Sequence, residues 1–347
     1  MKKAIQNIGL PTFIICAFWI LILVVGFFCD LSVPTLLSDT LKRAGMNGIL
    51  VLAMLPSIQS GTGPNFALPV GIVCGLFALV CSIEFGFTGW AWFFVSILLA
   101  TALAIVVGYL YGKLINAVKG SEMTIATYTG FSIVAFMCLL WLMIPFTSPN
   151  MGWFIGQGLR ETIQLDVIDA AQILNNLWAI QIGPDFTIPT GMILFFLLFC
   201  FIIWLFFRSK RGIAISAVGS SNEFAQASGI SINKNRVFAN ILTTVLGAIG
   251  IVVYSQSYGY AQLYSGPLMM AFPAVAAVLI GGATAMRGKV MHVIIGVVLF
   301  QGLLTAALPV ANKVFAGTDL SEVLRMVIQN GIILYALTQV KKGGSKG

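Results

Sequence analysis

The stretch from Gly212 to Arg236 reads GIAISAVGSSNEFAQASGISINKNR and forms a polar island between two strongly apolar segments. The segment before it, at 189–208, and the segment after it, at 237–256, are each about as long and apolar as a helix that spans a bilayer. A polar, charged hairpin between two membrane helices is exposed to water. We therefore predict a membrane protein whose residues 209–236 contact another protein.

The composition of the whole chain supports a membrane location. Of the 347 residues, 59% are hydrophobic and only 9% are charged, whereas soluble domains have about 25% charged residues. We predict an all-α integral membrane protein that forms a single transmembrane domain over residues 1–347, with about ten spans, some of them broken. The predicted spans are 10–29, 43–60, 66–85, 90–112, 125–146, 189–208, 237–256, 268–286, 290–310 and 322–340.

The placement of basic residues predicts the orientation in the membrane. With both termini in the cytoplasm, most Lys and Arg residues fall on the cytoplasmic side, as the positive-inside rule requires. The exceptions, in predicted outer loops, are Lys42, Arg43, Arg160, Lys313 and Arg325. We therefore expect a multi-pass protein of the cell (inner) membrane. The net charge of +8 comes from loop ends that face the cytoplasmic leaflet, which argues against nucleic acid as a partner.

The chain lacks the residues that several kinds of chemistry require. No G-x-x-x-x-G-K-[ST] sequence is present, so the chain has no usual nucleotide-binding loop, and we predict that it is not an enzyme. The acidic residues and the single histidine, His292, fall in loops or at the ends of predicted spans. A proton-driven carrier or a membrane enzyme would need such groups within the bilayer, which makes both less favoured alternatives.

Neutral polar residues mark a candidate pathway for a solute. The segment Gly61–Gly71 reads GTGPNFALPVG, and irregular backbone at membrane depth occurs where protein buries it or water lines it. It could equally be a plain cytoplasmic turn. Asn47, Tyr260 and Gln262 are further polar residues in or beside spans, and such groups could instead join helices by hydrogen bonds. The candidate pathway residues are Gln59, Asn65, Phe66, Gln256, Tyr258 and Gln301.

The long connection at 147–188 is predicted to be an external loop. Leu159, Ile163, Val167, Ala170, Leu174 and Leu177 recur at spacings of three to four residues, which predicts an amphipathic helix. Such a helix could receive a solute-delivering partner or lie on the helix bundle as a lid.

The polar island carries the resemblance to a known family. The run Glu223-Phe-Ala-Gln-Ala-Ser-Gly229 resembles the EAA-x-x-x-G loop of ABC importer permeases, with Phe224 in place of the second alanine. Residues from Ile188 to Ile230 look like the branch that serves ribose and related monosaccharides, nucleosides and autoinducer-2. Positions that match that branch in the loop are Asn222, Glu223, Ala225, Ser228, Gly229 and Ile230.

The resemblance implies the following fold, role and partners. The chain would have the larger-bundle architecture of ABC importer permeases and would pass a polar, uncharged solute such as a sugar. Two ATPase subunits would bind ATP and dock on the ATPase-coupling loop, at Asn222, Glu223, Ala225, Ser228 and Gly229, so the permease itself needs no cofactor. The other implied partners are a second permease copy, identical or a sister chain, and an extracytoplasmic solute-binding protein.

The resemblance leaves the solute open. Residues 64–71 and 281–289 depart from the pattern of sugar permeases, so ribose itself does not follow. A nucleoside permease is the main alternative, and a secondary carrier or channel is a more distant one.

Overall fold

The structure, a computed structural model, describes residues 10–118, 120–152 and 158–314, together with isolated positions between 323 and 334. It is mostly helical, as the composition predicts. The helices are α1 (Leu10–Phe28), α2 (Val33–Leu52), α3 (Met54–Gln59), α4 (Leu68–Glu84), α5 (Gly89–Ala117), α6 (Glu122–Met143), α7 (Ile173–Asn176), α8 (Thr190–Arg208), α9 (Lys210–Ser220), α10 (Asn222–Ala227), α11 (Ile232–Tyr258), α12 (Ala271–Ile280) and α13 (Val290–Val314). Most of the predicted tenth span, 322–340, lies outside the described residues.

Among the described residues, five helices are long and apolar enough to cross a membrane, namely α5, α6, α8, α11 and α13. Apolar stretches at Thr12–Phe28, Leu68–Glu84 and Gly266–Ile280 are shorter. The chain is therefore a multi-pass helical protein, and the number of ten spans stays a prediction.

Helix α11 is the centre of the bundle. In its most apolar stretch 67% of the residues are buried, against 28% in α5, α6 and α8, which lie at the periphery. Glycines allow α4 to pack directly on its backbone. A Cβ atom at Gly71 would lie 2.5 Å from the Thr244 carbonyl oxygen, and one at Gly75 would lie 2.4 Å from that of Ala248. Small residues at such helix–helix interfaces allow close packing in a membrane, where there is no hydrophobic driving force between helices.

The predicted span 43–60 begins too late, whereas its end is close to the end of α3. Helix α2 begins at Val33, with a proline in its first turn, and ends at Leu52; α3 then continues only to Gln59. Gly61 and Gly63 have φ values of 75° and 81°, which other residues adopt only at a cost, so the helix cannot continue through them. Ser57 closes this turn, because its hydroxyl donates a 2.6 Å hydrogen bond to the Gly63 carbonyl. Residues 59–67, where α3 ends and before α4 begins, are called the helix break below.

The predicted span 268–286 is also wrong as a continuous crossing. A 3-10 turn at Gly266–Met269 precedes α12, which has only ten residues. At 1.5 Å per residue α12 is about 15 Å long, half of a hydrocarbon core. This half-helix packs against α13 so closely that a Cβ atom at Gly296 would lie 2.0 Å from the Ala277 carbonyl oxygen.

The external segment does not form the predicted amphipathic helix. Strand β1 (Thr162–Gln164) pairs antiparallel with β4 (Tyr260–Gln262), and β2 (Ile180–Gln181) pairs with β3 (Thr187–Ile188). Between β1 and β2 lie a 3-10 turn at Asp166–Ile168 and the short helix α7. Of the apolar residues with helical spacing, Leu159, Ile163, Ala170 and Leu174 are buried, whereas Val167 is 59% exposed. The predicted amphipathic helix cannot form because Asp169 and Gln172 adopt positive φ values of 52° and 55°.

Candidate functional site

A cavity of about 420 Å³ lies between α2, α11, α12 and α13. Each helix contributes residues one turn apart on a single face, as a period of 3.6 residues requires. Its polar lining consists of Arg43, Asn47, Tyr254, Tyr258, Gln262 and Gln301. The rest of the lining is apolar or glycine, and consists of Met46, Leu50, Val51, Gly266, Met269, Met270, Pro273, Ala274, Phe300 and Leu304. We call this space the central cavity.

Arg43 is the charged residue of the central cavity. The sequence analysis placed it in an outer loop, but it lies within α2, about three turns from the first residue. Its side chain is exposed to the cavity, and among the described residues no carboxylate forms an ion pair with it. A guanidinium group stays charged at all physiological pH values and offers five N–H donors. Arg43 can therefore donate several hydrogen bonds to a bound solute.

Three tyrosines lie in a row at the end of α11 near the cavity. The ring centroids of Tyr254 and Tyr258 are 5.4 Å apart, and those of Tyr258 and Tyr260 are 4.3 Å apart. A hydrogen bond with Tyr258 raises the pKa of Tyr260 to about 12, so Tyr260 keeps its proton at physiological pH. Tyr254 and Tyr258, which line the cavity, thus offer ring faces and hydroxyl groups.

In sequence Gln256 lies between Tyr254 and Tyr258, but it does not line the central cavity. Two residues correspond to about 200° around a helix, so its side chain points away from Tyr254 and Tyr258. It is fully buried and accepts a hydrogen bond of 3.2 Å from the Leu174 amide. Its backbone carbonyl accepts another, of 2.6 Å, from the Gln172 amide. The structure therefore gives Gln256 the role of fixing the external segment to the end of α11.

Gln59, Asn65 and Phe66 lie at the helix break, outside the lining of the central cavity. Asn65 is buried, and its Oδ1 atom accepts hydrogen bonds from the Ala67 amide at 2.9 Å and the Tyr111 hydroxyl at 2.8 Å. The ring centroid of Phe66 lies 5.5 Å from that of Phe272 on α12. Of the six predicted pathway residues, only Tyr258 and Gln301 line the central cavity. Arg43 and Tyr254 were missed, although the spacing of Arg43 to Asn47 on one helical face was a usable signal.

The polar island forms two short helices. Ser221 caps α10, because its hydroxyl accepts a 3.2 Å hydrogen bond from the Phe224 amide. Gly229 ends it with a φ of 72°, and its amide donates a 3.0 Å bond to the Gln226 carbonyl. A glycine in this conformation is a common end of a helix. The sequence SNEFAQASG thus encodes both ends of one turn-and-a-half helix.

Helix α10 exposes nearly all of its side chains. Ala225 is buried and anchors the helix, whereas Asn222, Glu223, Ser228 and Gly229 are exposed. Phe224, which departs from the loop pattern, is 62% exposed.

The polar island contacts the helix break through α9. The Ser216 hydroxyl donates a 3.1 Å hydrogen bond to Oε1 of Gln59, and Nε2 of Gln59 donates to the Gly288 carbonyl. A Cβ atom at Gly219 would lie 2.1 Å from the Gln59 carbonyl oxygen, so the two backbones touch. Movement of α10 and α9 would therefore act directly on the break between α3 and α4.

Curated proteins with similar sequences are permeases. NupB of Lactococcus lactis subsp. cremoris, a nucleoside ABC transporter permease protein, is 23% identical over 266 residues, which cover 72% of this chain and 70% of that protein. RbsC of Haemophilus influenzae, a ribose import permease protein, is 25% identical over 100% of this chain and 99% of its own length. FruG of Bifidobacterium longum, a fructose import permease protein, is 23% identical over 50% of this chain and 58% of that protein.

A family match covers most of the chain. Residues 36–337 match the family described as branched-chain amino acid transport system / permease component. This range contains the central cavity, the helix break and the polar island. The chain belongs to this family of transport permeases.

Proposed function

We propose that the chain is the membrane-spanning subunit of an ATP-binding cassette importer for a small, polar, uncharged solute, with a monosaccharide as the first candidate. The observation that carries this proposal is the central cavity. Its volume of about 420 Å³ lies within the range of about 300–1,000 Å³ found for small-molecule sites. The amide groups of Asn47, Gln262 and Gln301 can both donate and accept hydrogen bonds, as a polyhydroxylated solute requires.

The electrostatics of the cavity favour an uncharged solute over a cation. Among the described residues no Asp, Glu or His lines it, so this lining offers no carboxylate for a cation and no group that would relay protons near neutral pH. The positive charge of Arg43 repels cations and protons from the cavity, a device that other membrane pores use. These features also count against a proton-driven carrier, because such a carrier needs a titratable site.

The ATPase would dock on α10. This helix exposes Glu223 and Phe224 and has ordered ends, which suits insertion into a groove of a soluble protein. Closure of the ATPase dimer would move α10 and α9 against the helix break at Gln59. Residues 209–236 are therefore called the coupling segment below.

The remaining partners follow from the importer assignment. A second permease copy, either identical or a sister chain, would complete the pathway. A solute-binding protein would deliver solute to the outer face, where the paired strands β1 and β4 fix the external segment to α11. The complex would lie in the inner membrane of the cell, and both termini of the permease would face the cytoplasm.

A nucleoside is the second candidate solute, because one observation favours it. Tyr254 and Tyr258 present ring faces in the cavity at a centroid distance of 5.4 Å. Aromatic faces stack on planar bases as well as on the apolar faces of sugars. NupB, one of the similar proteins, is named as a nucleoside permease.

Uptake by the reconstituted complex distinguishes these proposals. The permease, its ATPase and its binding protein would be placed in proteoliposomes and supplied with radiolabelled ribose, fructose, uridine or glutamate. We expect uptake of one neutral solute that requires ATP and that persists when a protonophore collapses the proton gradient. Uptake that stops with the protonophore, or that proceeds without ATP, would instead support a secondary carrier.

A further inference from the structure

A second cleft, of about 290 Å³, opens at the predicted cytoplasmic side of the bundle. It lies where the end of α8 and the beginning of α13 meet α3, and it shares no lining residue with the central cavity. The residues that line it are Leu55, Gln59, Trp204, Phe207, Arg208, Gly288, Lys289, Val290 and Met291. We call it the basic cleft.

Two cations lie at the mouth of the basic cleft. Arg208 is the last residue of α8, and Lys289 immediately precedes α13. Both side chains are exposed. Within the part of the chain that the structure describes, no acidic residue lines the cleft and neither cation has an ion-pair partner. The Arg208 guanidinium lies 3.8 Å from the centroid of the Trp204 ring, which holds it in place by a cation–π contact. The cleft therefore offers two positive charges without an internal counter-ion.

The walls of the basic cleft are apolar on the side of the membrane. Trp204 is 41% exposed and Met291 is 61% exposed, and Leu55 and Phe207 lie beside them. Both α8 and α13 are apolar helices that end or begin at this level, which sets the boundary between the hydrocarbon and the headgroups. The two charges thus lie at the ends of apolar helices, where headgroups are expected, and the apolar walls lie beside them.

We propose that the basic cleft binds an anionic phospholipid of the inner leaflet. Arg208 and Lys289 would hold its phosphate, since a guanidinium and an ammonium group are the usual phosphate partners of proteins. One acyl chain would lie along Trp204 and Met291. Basic pockets between membrane helices on the cytoplasmic side are suited to anionic lipid headgroups, and the charge of this cleft excludes a cationic ligand.

Binding at this cleft would act on the coupling segment. Gln59 lines the cleft, donates a hydrogen bond to the Gly288 carbonyl and accepts one from the Ser216 hydroxyl of α9. A bound lipid would hold Gly288 and Lys289 in place and thereby steady the contact between α9 and the helix break. This effect on coupling rests on the proposed function, whereas the binding of the lipid does not.

Native mass spectrometry of the delipidated full chain tests the binding. The protein would be titrated in detergent with phosphatidylglycerol, with phosphatidylcholine and with inorganic phosphate. We expect phosphatidylglycerol to bind more tightly than phosphatidylcholine, and Arg208→Gln and Lys289→Gln each to weaken it about fivefold, with about twentyfold for the double variant. Lys113→Gln is the matched control, because Lys113 also lies over an aromatic ring, 4.6 Å from that of Tyr109, but outside the cleft.

Four results would overturn the proposal. They are unchanged phosphatidylglycerol binding by the double variant, an equal loss in Lys113→Gln, equal binding of the two lipids, and displacement of the lipid by millimolar inorganic phosphate, which would assign the cleft to free phosphate. Because the assay needs neither ATPase nor solute, its outcome is independent of the proposed function.

In the reconstituted complex, replacing phosphatidylglycerol by phosphatidylcholine should lower the solute moved per ATP in the wild type but not in the double variant.

Discussion

Arg43 is the residue that gives the central cavity its charge. Its neighbour Lys42 lies on the same helix but does not line the cavity. A membrane protein retains a charge without a counter-ion within its bundle where function requires it. The two adjacent cations therefore form a matched pair for separating a role in transport from a general effect of charge.

Arg43→Gln should lower ATP-driven uptake about tenfold, and Lys42→Gln should leave it nearly unchanged. A hydrogen bond to a charged group contributes about 1.5–3 kcal/mol, and its loss would weaken the solute-occupied state of the cavity. The measurement is the initial rate of uptake in proteoliposomes with saturating loaded binding protein. Equal rates for the two variants would remove Arg43 from the pathway.

Asn65 has a structural task at the helix break. Its Oδ1 atom joins the break to α5 through the Tyr111 hydroxyl, and both residues are buried. Tyr111→Phe should lower the free energy of unfolding by about 1 kcal/mol, because Asn65 then keeps only its bond to the Ala67 amide. The change would be measured as thermal unfolding in detergent.

Tyr109→Phe is the control for this stability change. Tyr109 lies on the same helix but is 45% exposed, so removing its hydroxyl should have almost no effect. A loss of stability in Tyr109→Phe as large as that in Tyr111→Phe would show that the Asn65 contact contributes nothing specific.

At the scale of elements, α10 is the part of the coupling segment that the sequence described best. Its capping serine, its small residues and its final glycine are local signals. The helix ends that they indicate are held by hydrogen bonds between residues three positions apart. The external segment shows the opposite case. Its apolar residues have the period of a helix, but pairing of β1 with β4 decides its structure, and β4 lies about 100 residues further along the chain. A local pattern cannot reveal such a partner.

Glu223→Ala and Gly229→Asp should uncouple ATP hydrolysis from uptake while the permease remains in the membrane. Glu223 is exposed, so its replacement changes the docking surface alone. Gly229 has a φ of 72°, where a side chain costs about 1–2 kcal/mol, and no atom lies within 4 Å of its Cβ position. The readout is solute moved per ATP, with Lys113→Ala, an exposed change on the predicted cytoplasmic side but outside the coupling segment, as control. Wild-type coupling in both variants would place the ATPase contact elsewhere.

At the scale of the whole molecule, the sequence predicted a helical membrane permease, and the family match confirms the permease. Apolar windows identify α5, α6, α8, α11 and α13 because these helices are long and unbroken. They do not identify half-helices such as α12, which depend on close packing against a neighbour for burial. The central cavity was predicted only in part for a related reason. Its residues come from four helices, and a single sequence does not reveal which faces meet.

The assembly of the whole transporter depends on α10 as the contact with the ATPase. Phe224 is the most informative residue for this contact, since it is 62% exposed and the buried Ala225 next to it keeps the helix in place. Phe224→Asp should abolish docking, because a carboxylate cannot enter an apolar groove without losing its hydration. The fold should be unaffected, since the Phe224 side chain is largely in solvent.

Copurification of the ATPase tests this account most directly. The chain would be tagged, extracted gently from its native membrane, and analysed by quantitative mass spectrometry as wild type and as Phe224→Asp. We predict an ATPase subunit in equal amount to the wild-type permease and its loss from the variant. Recovery of no ATPase with the wild type even after crosslinking, or equal recovery with both proteins, would contradict the account.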